Sequence, residues 1–174
     1  SKVESDGKQD KLCVRRVEAG RDTSSLLGMI INQSLSLLPI PKRMRWGNSK
    51  EEFVRPVQWG VLLFNDETYY ESVLGVTTGN VSQGHRFHGT GDITICSPNS
   101  YEQQLHDNFV IASFAKRREL IEDGVKLLAS EGGGIAVIDP SLLDEVTALN
   151  EWPVPLMGCF DEAFLAVPSE ALVS

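Results

Sequence analysis

The chain has 174 residues and a formal net charge of −8, from 16 Lys and Arg against 24 Asp and Glu, which is the size of one ordinary domain. Affinity for nucleic acid comes largely from phosphate neutralisation and counterion release, so this balance excludes strong unaided binding to RNA. No apolar run approaches the roughly 20 residues that cross a bilayer. Cys13, Cys96 and Cys159, odd in number and without a Cys-x-x-Cys pair, fit free and mostly buried thiols in a reducing compartment, hence a cytoplasmic protein.

Residues 1–10 are polar and aperiodic and are expected to be a disordered lead-in to a single domain over 11–174, opening with a short strand at 12–18. Asp22 or Thr23 caps a predicted helix whose apolar positions Leu26, Leu27, Ile30, Ile31, Leu35 and Leu38 recur at three- and four-residue steps until Pro39. Alternation over 54–64 places Val57, Trp59, Val61 and Leu63 on one strand face. Asn65-Asp66-Glu67 then turns the chain into a second strand at 68–76. Leu27, Ile31 and Leu35 are expected to pack on Val57, Trp59 and Val61 of that hairpin.

Residues 79–91 form a glycine-punctuated loop holding His85, Arg86 and His88, followed by a strand at 93–96 and a helix opening at Ser97-Pro98. Further strands are predicted at 109–112, 135–138 and 154–160. Helices are predicted at 115–130 and from Asp139-Pro140 through Leu142, Leu143, Val146 and Leu149 to Trp152-Pro153. Pro168-Ser169-Glu170 reads as one more helix start. The pattern predicts an α+β fold, a mixed and mostly antiparallel sheet packed with several helices.

Lys42, Arg43 and Arg45 sit beside Trp46 on a segment stiffened by Pro39 and Pro41, and Arg55, His85 and Arg86 extend the set of cations. One reading is contact with an RNA backbone through guanidinium forks suited to phosphate. The other is bracing, with the arginines stacked on Trp46, Pro56 and Phe87 and paired with carboxylates. Lys116, Arg117 and Arg118 in the first turn of the 115–130 helix oppose its dipole, so they mark either a functional surface or a place where carboxylates compensate. No metal site is expected: His85-x-x-His88 lies on a loop without a carboxylate in close spacing. Gly132-Gly133-Gly134 follows a helix, which makes it a helix stop rather than a phosphate loop. Asp144-Glu145 and Asp161-Glu162 read as solvated surface, and no nucleophile motif is present, so no catalytic residue is assigned.

The run Leu38-Pro39-Ile40-Pro41-Lys42-Arg43-Met44-Arg45-Trp46-Gly47 is one of several matching segments. With Phe53-Val54-Arg55-Pro56-Val57, Gly84-His85-Arg86-Phe87-His88-Gly89, Glu151-Trp152-Pro153-Val154 and Phe164-Leu165-Ala166-Val167-Pro168-Ser169-Glu170-Ala171-Leu172, it resembles the β subunit of the bacterial two-subunit glycyl-tRNA synthetase, a heterotetramer of two α and two β chains. That subunit is several times longer, so the resemblance implies an excised internal part. It further implies an ATP-dependent glycine–tRNA ligase acting in translation, with ATP and Mg at the α subunit and no cofactor in this chain. The implied partners are the α subunit, other domains of the β subunit and tRNA-Gly, with no membrane. The expected role is a non-catalytic module supporting tRNA positioning and subunit architecture. Its rivals are an interaction module that never touches RNA and an unrelated small-molecule binding domain using the 79–91 loop.

Overall fold

The computed structural model describes residues 2–5, 7, 9–14 and 16–168. The fold is α+β, and the chain divides into two compact units, residues 1–64 with 68–79 and residues 65–67 with 80–174.

In the first unit, Lys2–Ser5 (β1) and Asp10–Cys13 (β2) pair antiparallel, Lys2 opposite Cys13 and Ser5 opposite Asp10; β1 lies in the 1–10 stretch expected to lack structure, and β2 overlaps the start of the strand expected at 12–18. Asp22 caps a 3-10 turn over Thr23–Leu26 by accepting from the Ser24 N–H at 3.4 Å, and this turn feeds helix α1, Leu27–Leu37. The helix ends where Leu38 turns extended ahead of Pro39, because proline disfavours α geometry in the residue before it. Met44–Arg45 (β3) and Glu52–Phe53 (β4) then form a short antiparallel ribbon.

Helix α1 is docked by a close backbone approach and an amide contact, and the apolar side chains expected to meet the 54–64 strand are at most half-buried. Its buried residue is Gly28, where an added Cβ would collide with the Glu71 carboxylate. Asn32 Nδ2 donates to the carbonyls of both Gly28 and Ser72 at 2.9 Å, tying α1 to Ser72–Val73 (β7). Ile31 and Leu35 are half-buried and Trp59 is 45% exposed.

Only Leu63–Phe64 (β5) of the 54–64 stretch is strand, and Glu67–Thr68 (β6) follows after a turn at Asn65 with φ 55°. The predicted 68–76 strand is interrupted: β7 turns at Leu74 and Gly75 into Val76–Thr77 (β8), with Ser72 opposite Thr77. Both turn residues have positive φ, 49° and 79°, as a type I′ hairpin requires. Thr78, 5% exposed, closes this unit: its hydroxyl accepts from the Glu71 N–H and donates to the Tyr69 carbonyl, both at 2.8 Å.

In the second unit, Val81–Gln83 (β9), inside the predicted 79–91 loop, pairs antiparallel with Asp92–Thr94 (β10), which overlaps the strand predicted at 93–96. A Ser97-capped turn at Pro98–Ser100 leads into Tyr101–His106 (α2). Ser113 and Asp139 cap Phe114–Glu131 (α3) and Pro140–Leu149 (α4), which pack against each other. The core is Ile93, Ile95, Leu105, Ile111, Ile121 and Leu143, with the Thr147 side chain fully enclosed and donating to the Leu143 carbonyl at 2.7 Å. Burying one such isoleucine contributes about 1.5–3 kcal/mol.

The glycine run ends α3 as a Schellman cap: Gly134 N–H donates to the Ala129 carbonyl and Gly133 N–H to that of Ser130, with Gly133 at φ 73°. The strands predicted at 109–112, 135–138 and 154–160 do not form a ladder. At the first, Phe109 has φ 60°, which breaks strand geometry, and Ile111 N–H goes alone to the Glu151 carbonyl. The sheet component is therefore a set of two-stranded ribbons. Cys96 and Cys159 are exposed, contrary to the expectation of buried thiols. The helix start expected at Ser169-Glu170 lies outside the described residues. Among the described residues no helix is long and apolar enough to cross a membrane.

Candidate nucleic-acid interface

The basic arm owes its position to the end of α1. A helix leaves its last carbonyls without intrahelical partners. Arg43 reaches back to them, Nη2 donating to Leu35, Ser36 and Leu38 at 3.4, 3.1 and 3.3 Å. Its half-buried guanidinium is thus committed to the fold. Arg45 faces Glu52 across the β3–β4 ribbon, with Nε 2.6 Å from Oε1. Side chains 67% and 41% exposed make this pair worth at most about 1 kcal/mol. Lys42 and Arg55 are exposed, and neither has a hydrogen-bond or ion-pair partner among the described residues.

In the second unit the His85–Gly89 turn is held from inside. His85 Nδ1 accepts from the Phe87 and His88 N–H groups at 3.2 Å, and Gly89 N–H donates to the His85 carbonyl at 2.8 Å. A Cβ on Gly89 would stand 2.7 Å from His85 N, so only glycine fits. The His85 N–H in turn donates to the Asn108 carbonyl at 2.9 Å. The His88 ring stacks on His85 at 4.6 Å and reaches Phe109 at 5.6 Å, and Phe109 meets Trp152 edge-on at 5.3 Å. At the tip of this braced turn Arg86 is exposed with no partner among the described residues, and Phe87 is 84% exposed.

Of the sequence candidates, Arg43, Arg45 and His85 are engaged in local structure, whereas Lys42, Arg55 and Arg86 face solvent. The stacking expected on Trp46, Pro56 and Phe87 is not observed. The cation–π contact found among the described residues is Arg117 over Phe114, at 5.8 Å. Sequence reasoning passed over Phe87 as a solvent-facing group, although its place between Arg86 and His88 in a glycine-bounded turn was a usable signal.

The cations opening α3 have structural partners. Arg117 donates to the carbonyls of Ile111, Ala112 and Thr147 at 2.5, 3.0 and 3.3 Å. Lys116 pairs with Glu102 at 2.7 Å, and Arg118 with Asp144 at 2.7 Å and Glu122 at 3.0 Å. The hydrogen bond that Arg118 donates to Asp144 pushes the guanidinium further up, and Lys126, 2.6 Å from Glu122, holds that carboxyl below its usual range. Carboxylates compensate Lys116 and Arg118, and backbone carbonyls take Arg117. Among the described residues no three His, Cys, Asp or Glu side chains gather as a metal site, and His85 Nδ1 is already occupied by backbone donors.

The class these features fall into is that of aminoacyl-tRNA synthetase components: the family model described as glycyl-tRNA synthetase beta subunit matches residues 1–174. The chain belongs to the glycyl-tRNA synthetase beta subunit family. It is 52% identical over 165 residues to the glycine–tRNA ligase beta subunit of Marinobacter nauticus, covering 94% of this chain and 24% of that protein. The corresponding subunit of Stutzerimonas stutzeri is 52% identical over 172 residues, 99% of this chain and 25% of that protein. That of Azotobacter vinelandii is 50% identical over 171 residues, with coverage of 98% and 25%. The chain thus spans about a quarter of the length of these relatives.

Proposed function

We propose that this chain is a non-catalytic module of a glycine–tRNA ligase β subunit that supports tRNA positioning and subunit architecture in the cytoplasm. In this reading glycine activation, with its ATP and Mg, belongs to the α subunit, and the chain alone activates no glycine. The observation that carries the reading is the His85–Gly89 turn, which presents Arg86 to solvent without a carboxylate partner among the described residues. An unpaired guanidinium on a pre-organised turn suits a phosphate, since its planar fork matches phosphate geometry and the backbone that carries it is already ordered. Net charge of −8 means such a contact acts only after other parts of the enzyme have brought the tRNA close.

The experiment is aminoacylation by the assembled enzyme with Lys42, Arg55 and Arg86 changed to Ala in the full-length β subunit. The reading expects slower charging and a flatter salt dependence with assembly intact. The engagement of Arg43 with α1 and of Arg45 with Glu52 favours a second reading, a scaffold without RNA contact. Unchanged charging by the triple variant, or loss of the α subunit with normal charging per assembled complex, decides for it.

A further inference from the structure

An apolar groove of about 400 Å³ lies along α3 and α4, lined by Ile121, Val125, Leu128 and Val146 and by the chain at 153–157. That stretch crosses α3 closely. Pro155 fills the space over Gly124, where a Cβ would stand 2.6 Å from its Cγ, and Met157 Cε lies 3.3 Å from the Cβ position of Gly132. Beyond Pro155 the segment is bare: Leu156 is 86% exposed, Met157 55% and Phe160 73%, and Cys159 is exposed as well.

The segment Val154–Phe160 is apolar and carries no charge, yet its backbone makes no ladder and no backbone hydrogen bond with another described residue. The neighbouring chain at 135–138 is likewise unpaired, with Ile135 93% and Val137 98% exposed. Both segments have the composition that predicts strands, and both lack a strand to join. Exposed backbone edges flanked by large apolar side chains are the template on which another strand adds.

We infer that the 154–160 segment is a strand completed by a β-strand from the part of the same β-subunit polypeptide outside this chain. This rests on the reading that the chain is a piece of such a subunit. The relatives supply the occupant's source, since roughly three quarters of their length lies outside the matched region. An uncharged, strongly apolar face also fits a permanently covered intrachain contact better than a transient docking site, whose surface is more polar.

Hydrogen exchange on the full-length β subunit, without α subunit or tRNA, tests this. The amides of 156–160 are expected to exchange roughly tenfold or more slower than an unstructured chain. Leu156→Asp is expected to accelerate exchange both there and in one peptide outside residues 1–174, which identifies the partner strand. Should that variant fail to fold, the wild-type exchange at 156–160 decides. Unprotected amides overturn the inference, as does protection that appears only with α subunit, that rises with protein concentration, or that Leu156→Asp removes without any response elsewhere in the β chain. Since tRNA is absent from this measurement, its failure leaves the tRNA-positioning reading standing, and the charging experiment is blind to the strand.

Discussion

Arg43 Nη2 lies 3.1 Å from the Ser36 carbonyl, and through this contact the basic arm is anchored to the end of α1. A cation at a helix C-terminus also meets the negative end of the dipole, so Arg43 is favoured twice over. Arg43→Ala is expected to lower stability by about 1–2 kcal/mol, with Arg43→Lys recovering only part because ammonium has no planar fork. A urea unfolding midpoint unchanged by Arg43→Ala would show that the arm is free.

Ile95, 1% exposed in the second unit, has no room to relax. Ile95→Ala is expected to cost about 2–5 kcal/mol. Ile31→Ala, at a half-buried position on α1, should cost clearly less. Thermal unfolding of the two variants side by side checks the order, and a larger loss for Ile31 would contradict the burial described.

Glycine at 89 is required by space, since a Cβ there meets both the N and the carbonyl O of His85. Gly89→Ala should disorder the turn that presents Arg86. It is expected to reduce charging by the assembled enzyme as much as Arg86→Ala does. Normal charging with Gly89→Ala would mean the turn has no part in tRNA handling.

Asp139 caps α4 by accepting from the Ser141 hydroxyl and the Leu142 N–H, and these bonds hold its carboxyl below the ordinary value. A carboxyl depressed on folding adds stability above its unfolded-state value, and that stability is lost as pH falls through the folded one. Stability is therefore expected to drop below about pH 4, and Asp139→Asn, which keeps an acceptor for Leu142, should soften the drop. Identical acid unfolding profiles for the two proteins would remove the cap from the account.

The helices were legible because their signals are local: Asp22, Ser97 and Asp139 cap where the sequence placed helix starts, and Gly132–Gly134 stops α3. Strand readings fared worse, since alternation specifies a pleated surface without naming the strand beside it. Val57 to Leu63 alternates, yet only Leu63 enters a ribbon, and the strand predicted at 154–160 has no partner strand among the described residues. The turn at Leu74-Gly75 was hidden because leucine seldom takes positive φ. As for the site, sequence identified the cations but could not tell Arg43, spent on helix carbonyls, from Arg86, left to solvent, because that difference depends on where α1 ends.

In the proposed role the exposed tip of the His85–Gly89 turn meets tRNA in the assembled enzyme. A photo-crosslinking residue in place of Phe87 in the full-length β subunit, mixed with α subunit and tRNA-Gly, tests it most directly. The account predicts crosslinks from this position to tRNA that disappear when Arg86 is changed to Ala or salt is raised. Crosslinks only to the α subunit or to other parts of the β chain, with tRNA bound and charged normally, would contradict it.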